Sequence, residues 1–137
     1  VGMTDTVSIT TEGGEQFQKH FYEYLDSDRQ DLKHLYHEES KVVWNGQALK
    51  GKDAVRFLAE LPISKHEVQS LDCQPVATGG DGSDPMILVT VMGMVVFGHK
   101  ESKPPPETKP FAQTFVLGKD PVNNAYFICA DNYRFTT

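Results

Sequence analysis

Apolar residues in the first half of the chain recur with the period of an α-helix. Within about residues 8–27, four of them stand at positions i, i+4, i+7 and i+8, which predicts an amphipathic helix. Two shorter helices are predicted next, one capped by Ser27 or Asp28 and one that begins after Gly51 and ends at Pro62. The three apolar sets are Phe17, Phe21, Tyr24 and Leu25, then Leu32, Leu35 and Tyr36, then Ala54, Val55, Phe57, Leu58 and Leu61.

From His66 onward the period of the apolar residues changes to two, which is typical of β-strands. An earlier strand at 41–44 is followed by Asn45 and Gly46, which tolerate positive φ and predict a tight hairpin turn. Helices first and long strands afterward predict one α+β domain with an antiparallel sheet. The four long strands are expected at about 66–77, 86–99, 110–118 and 125–135.

Turn-rich segments separate these strands, at residues 78–85, 102–106 and 119–124. The prolines at 104–106 have two interpretations, a polyproline ligand or a stiff surface loop, and we favour the loop.

Length and charge limit the function. A chain of 137 residues has room for one domain, expected over 8–137 after a flexible segment 1–7 in which Val1 and Gly2 are interpreted as a cloning remnant. The formal charge of −6 argues against direct nucleic-acid binding, and no apolar run approaches the ~20 residues that span a bilayer.

Cys73 and Cys129 lack the spacing of a metal clip, so we expect free thiols and no metal or cofactor.

The two faces of the predicted strands differ in a way that suggests an interface. Alternate residues of a strand face opposite sides of the sheet, and in an antiparallel sheet one side usually meets water. In the second long strand, however, the odd-numbered and the even-numbered residues are both mainly apolar. The larger side chains of the last two strands should pack under the helices, and the opposite face, flatter and rich in Met and Thr, suggests a protein partner. Arg134 on that face is either an interface cation or a solvated one. The larger set is Phe111, Phe115, Leu117, Phe127, Cys129, Tyr133 and Phe135.

Several ordered motifs resemble one known family. Val-Val-Trp-Asn-Gly at 42–46, Leu-Pro at 61–62, Leu-Asp-Cys-Gln-Pro-Val at 71–76 and Asp-Asn-Tyr-Arg-Phe at 131–135 stand in order and resemble the nuclear transport factor 2-related export proteins. These are small partners of the large mRNA export receptor. The resemblance implies an α+β cone with three helices on the concave side of a strongly bent sheet, while the convex side meets the matching domain of the receptor.

The resemblance also implies a set of interface residues and a cellular role. Arg134 matches the family's interface arginine, and the chain would stabilise the receptor domain that binds nucleoporin Phe-Gly repeats, shuttling between nucleus, nuclear pore and cytoplasm. The wider family has an acidic residue at the position of Asn45 that helps bind the GTPase Ran, so the amide argues against Ran-GDP binding. The implied interface residues are Asp72, Gln74, Thr90, Met92, Thr114, Asn132 and Arg134.

Two alternatives stay open at this point. The same fold houses dehydratases and isomerases that use a cone cavity, for which the candidate acids and bases here are His34, His37, Asp72, Asp131 and Tyr133. Asp131, of inward parity, is the strongest of the five. Trp44 is interpreted as core packing. The second alternative is a homodimeric transport adaptor that uses the same sheet face.

Overall fold

The computed structural model describes residues 3–76 and 85–136, with side chains from residue 12 onward. Two α-helices, α1 (Met3–Ser27) and α2 (Gly51–Ala59), and a 3₁₀ helix (Arg29–His34) occupy the three regions predicted as helical. The predicted turn at 78–85 lies outside the described residues except for Pro85, and the flexibility of residues 1–7 stays a prediction. The strands are β1 (Tyr36–Trp44), β2 (Gln47–Lys50), β3 (Ser64–Val76), β4 (Met86–Phe97), β5 (Thr108–Lys119) and β6 (Tyr126–Phe135).

The six strands form one sheet in the order β2-β1-β6-β5-β4-β3, and the helices pack against one side of it. The α+β class is confirmed, but the sheet is mixed, because β1 pairs with β6 in parallel while every other neighbouring pair is antiparallel. The last strand of the meander enters beside β1 and runs in its direction. Alternation along one strand carries no information about such a distant neighbour, so the sequence alone did not predict this pair.

The inner face of the sheet holds the core. Ile87, Val89 and Phe115 are fully buried, and the Phe21 ring of α1 meets the Phe115 ring edge to face, with ring centroids 4.8 Å apart. Large side chains of α1 and of β4 and β5 therefore pack together as the alternating pattern predicted. Within the described ranges, no helix has both the length and the apolar character needed to cross a membrane.

A β-bulge in β6 corrects part of the predicted core. The pairing with β5 moves from Val116 opposite Ala130 to Leu117 opposite Ile128, which leaves Cys129 as an extra residue. Ile128 consequently faces the core and is fully buried, whereas Phe127 and Cys129, both predicted to point inward, are only half-buried. One inserted residue exchanges the two faces of a strand, and alternation alone does not locate it.

Candidate partner-binding face

The outer face of the sheet, opposite the helices, is built from paired residues of neighbouring strands. Asp72 pairs with Thr90, Thr90 with Thr114, and Thr114 with Asn132, so these four side chains form one row across β3, β4, β5 and β6. Asn132 in turn pairs with Val43 of β1. The row is half-buried or exposed along its whole length.

Two flanking rows complete what we call the outer face. On one side of the row that contains Thr90 and Thr114, Met92 and Arg134 both pair with Ala112. On the other side, Gln74 pairs with Leu88. All seven interface residues implied by the family resemblance thus lie on one face of the sheet. The flanking rows are Ser70, Met92, Ala112 and Arg134, and Gln74, Leu88, Val116 and Ala130.

The middle of the outer face is uncharged. Its side chains are mainly Thr, Ala, Val and Met, and Met92 is 54% exposed, one of the most exposed large apolar residues that the structure describes. Large apolar residues scattered singly on a surface are ordinary, but here Leu88 and Val116 adjoin across β4 and β5, with Ala130 of β6 beside them. This composition suits burial against another polypeptide.

Charges lie at the two sides of the outer face. Arg134 of β6 and Lys41 of β1, both exposed, lie toward one side, and Asp72 and Glu67 of β3, also exposed, lie at the other. Sequence reasoning missed Lys41 and Val43 as part of this face, because it did not place β1 beside β6. The Asn-Gly turn after β1 was the available signal for where β1 ends.

Asp131, the leading catalytic candidate, lies in the interior and is fully hydrogen-bonded there. Tyr36 Oη donates to one carboxyl oxygen at 2.6 Å, and Gln113 Nε2 donates to the other at 2.7 Å. Tyr22 Oη donates in turn to Gln113 Oε1 at 2.7 Å. Burial raises the pKa of Asp131 to about 6, although the hydrogen bonds from Gln113 and Tyr36 act in the opposite direction.

A second polar group ties α1 to β3 and β6. His66 Nδ1 lies 2.7 Å from Asp26 Oδ1, and His66 Nε2 lies 2.8 Å from the hydroxyl of Tyr133. The His66 backbone N–H also donates to Asp26 Oδ2 at 2.7 Å. Burial raises the pKa of Asp26, but the hydrogen bonds and charge of His66 outweigh it, so this pKa lies below its usual value. Sequence reasoning missed both Asp26 and His66.

The five catalytic candidates are not brought together. Asp72 lies on the outer face of the sheet, His34 is 64% exposed beside Asp31, and the His37 ring stacks on Phe127 with centroids 3.7 Å apart. Only Asp131 and Tyr133 share the interior, and there they contact different polar partners.

Three surface cavities are separate from Asp131. Trp44 stacks on Tyr133 with ring centroids 4.0 Å apart, which confirms its packing role. It also lines a cavity of about 430 Å³ with Phe97 and Phe135. Neither that cavity nor two others of about 510 and 570 Å³ is lined by Asp131 or Tyr133. Between residues 3 and 136, leaving aside the gap at 77–84, no three His, Cys, Asp or Glu side chains cluster as metal ligands would.

Comparisons with known proteins give the chain its family. The human NTF2-related export protein 2 is 36% identical over 125 residues, covering 88% of this chain and 83% of the relative. In structure, a chain of the Candida albicans Mtr2–Mex67 M domain complex superposes with a TM-score of 0.65 at 20% identity, covering 89% of this chain and 93% of that one. A Novosphingobium aromaticivorans protein assigned as scytalone dehydratase superposes at 0.76 and 15% identity, covering 98% and 89%.

These structural likenesses, at low identity, establish the fold. The sequence resemblance read from the motifs at 42–46, 71–76 and 131–135 is confirmed by the relatives named NTF2-related export proteins. The sequence profile of the nuclear transport factor 2 (NTF2) domain matches residues 13–135, and the chain therefore belongs to the NTF2 domain family.

Proposed function

We propose that this chain is a non-catalytic adaptor that pairs through its outer face with the NTF2-like domain of a large mRNA export receptor. The observation that carries the proposal is the uncharged middle of the outer face, which the described helices leave uncovered, with the exposed Arg134 at one side of it. Pairing would stabilise the receptor domain and so support export of mRNA from the nucleus.

The comparisons support the choice of partner. Relatives at 32–36% identity carry the name NTF2-related export protein. Solved structures with the same fold include Mtr2 bound to Mex67, whose matching domain is itself NTF2-like. A domain of like fold would present a sheet of its own, and a sheet can cover a broad face more completely than a short peptide can.

The apolar side chains of the outer face and Arg134 would have different roles in binding. Burial of the Thr, Ala, Val and Met side chains would supply affinity in proportion to the apolar area covered. Arg134 would fix orientation, since its planar guanidinium suits bidentate pairing with a carboxylate. With a net charge of −6, this chain would reach RNA mainly through the receptor. The family resemblance implies that it also reaches nucleoporin Phe-Gly repeats mainly through the receptor, during shuttling between nucleus, pore and cytoplasm.

The interior argues against the enzyme alternative. A general acid or base must reach a substrate, but Asp131 is 5% exposed and both of its carboxyl oxygens already accept hydrogen bonds. We therefore favour a role without catalysis, and the amide at position 45 favours one without Ran-GDP.

The proposal is tested by reversing the charge of Arg134. Isothermal titration of the receptor's NTF2-like domain with Arg134→Glu should show binding weakened by at least ~2 kcal/mol, the lower end of the cost of breaking an interfacial charge pair. Arg56→Glu, a reversal of an exposed arginine on α2, is the matched control and should bind as wild type does. Wild-type affinity for Arg134→Glu would show that the outer face is not the binding surface around this residue.

A further inference from the structure

Asn45 lies directly opposite Arg134 at the end of the parallel β1–β6 pair. Trp44 pairs with Tyr133, so the next residue of β1 stands beside the next residue of β6. The Asn45 backbone N–H donates to the Tyr133 carbonyl at 2.8 Å, which continues the parallel ladder by one bond. The backbone of Asn45 then turns away from the strand, with a φ of 46°.

The side chain of Asn45 supplies the hydrogen bond that its own backbone no longer makes. In a parallel ladder, the N–H of the residue after Arg134 would donate to the carbonyl of the opposing residue. Here the Phe135 N–H donates instead to Asn45 Oδ1 at 2.8 Å. Asn45 therefore bonds to the Tyr133 carbonyl and the Phe135 N–H, the backbone groups on both sides of Arg134. Asparagine suits this position because it tolerates a left-handed φ and its side chain carries a hydrogen-bond acceptor.

The guanidinium of Arg134 lies beside Gly46, the second residue of this turn. The φ of Gly46 is 88°, and a Cβ built at Gly46 would lie 4.0 Å from Arg134 Nη1. The cation thus lies next to the turn that Asn45 begins. Among the residues that the structure describes, Arg134 takes part in none of the ion pairs.

We propose that Asn45 is a positioning residue for Arg134, and that its neutral amide leaves the guanidinium available to a carboxylate of the partner domain. The inference rests on the proposed function. An aspartate at position 45 would still accept from the Phe135 N–H and tolerate the left-handed backbone. It would also place a negative charge beside Arg134 within the same chain, where it would compete with the partner's carboxylate.

A double-mutant cycle tests this role. Titrations with the receptor's NTF2-like domain would compare Asn45→Asp alone, Arg134→Gln alone and the two together. Asn45→Asp should weaken binding roughly three- to tenfold in the presence of Arg134, in the range of coupling between neighbouring groups. Combined with Arg134→Gln, the same change should leave affinity within about twofold, because there is no cation left to sequester.

The outcomes separate this inference from the proposed function. An equal loss in both backgrounds, or no loss in either, would overturn the claim that the neutral amide at position 45 leaves Arg134 available to the partner. An Arg134→Gln variant that binds as wild type does would instead overturn the role of Arg134 itself, and absence of wild-type binding would overturn both. Asn45→Gly, which keeps the turn and removes the acceptor, tests the positioning role in the same cycle. It should weaken binding in the presence of Arg134 and change little beside Arg134→Gln, and unchanged binding in the presence of Arg134 would overturn that role. Thermal unfolding checks that each variant is folded.

Discussion

Asp131 is a carboxyl group enclosed by aromatic and aliphatic side chains, a placement that is costly unless hydrogen bonds compensate for the lost hydration. Tyr36 and Gln113 provide those bonds. The residue that would be the first choice for catalysis in a related fold is thereby a cross-link between β1, β5 and β6. Its inward position was predictable from alternation, but its partners were not. Tyr36 comes from β1, which is distant in sequence, and the position of Gln113 depends on the register between β5 and β6.

The raised pKa of Asp131 predicts a pH-dependent stability. With a pKa of about 6, above the usual 3.8, the folded protein keeps a proton between about pH 4 and 6 that the unfolded chain has lost. The contribution of Asp131 to the free energy of unfolding should therefore fall as the pH rises through that window, by roughly 2–3 kcal/mol in total.

Asp131→Asn isolates this effect. The amide cannot ionise, yet it can accept from Gln113 and donate to the Tyr36 hydroxyl. Urea unfolding of both proteins from pH 4 to pH 7 should show wild type losing stability relative to Asp131→Asn as the pH rises. Parallel pH profiles would mean that Asp131 ionises normally in the folded state.

Helix α1 approaches β3 at a contact that only a glycine allows. A Cβ at Gly14 would lie 2.3 Å from Cys73 Sγ and 3.0 Å from Cys73 Cβ. Such an approach lets the core residues of α1, including Phe17, reach the sheet. The pattern of apolar residues predicted the helix and the strand but gave no sign that they meet at this distance.

The Gly14→Ala variant tests this contact. Alanine favours a helix by about 1 kcal/mol over glycine, but overpacking costs roughly 1–3 kcal/mol or more, so we expect net destabilisation. Cys73→Ala removes the Sγ atom and should recover part of the loss in the double variant. Thermal unfolding of the two single variants and the double variant measures this, and a Gly14→Ala protein as stable as wild type would contradict the close approach.

The sequence predicted where the long strands lie, but not which strands are neighbours or where the β-bulges occur. Each long strand lies within about two residues of its predicted position, since alternation is a local signal. The parallel β1–β6 pair and the extra residue Cys129 depend on contacts between distant segments, which no local pattern records. The proposed interface residues Asp72 and Gln74 came from the family motifs. A second bulge, between Val68 and Ser70, places them on the opposite face of β3 from His66, although simple alternation would place all three on the same face.

At the scale of the whole molecule, one side of the sheet is covered by helices and the other is not. The buried apolar residues lie on the inner face and on the helices that cover it, while the outer face combines small apolar side chains with charges at its two sides. A domain of this size gains little from leaving such a face in water. We therefore expect the outer face to be covered in the working assembly.

Light scattering coupled to size-exclusion chromatography measures that assembly most directly. An equimolar mixture of this chain and the NTF2-like domain of the mRNA export receptor from the same organism should elute as one species with the summed mass of one copy of each. A mixture that elutes as two separate species, each with the mass it has alone, would contradict the proposed pairing.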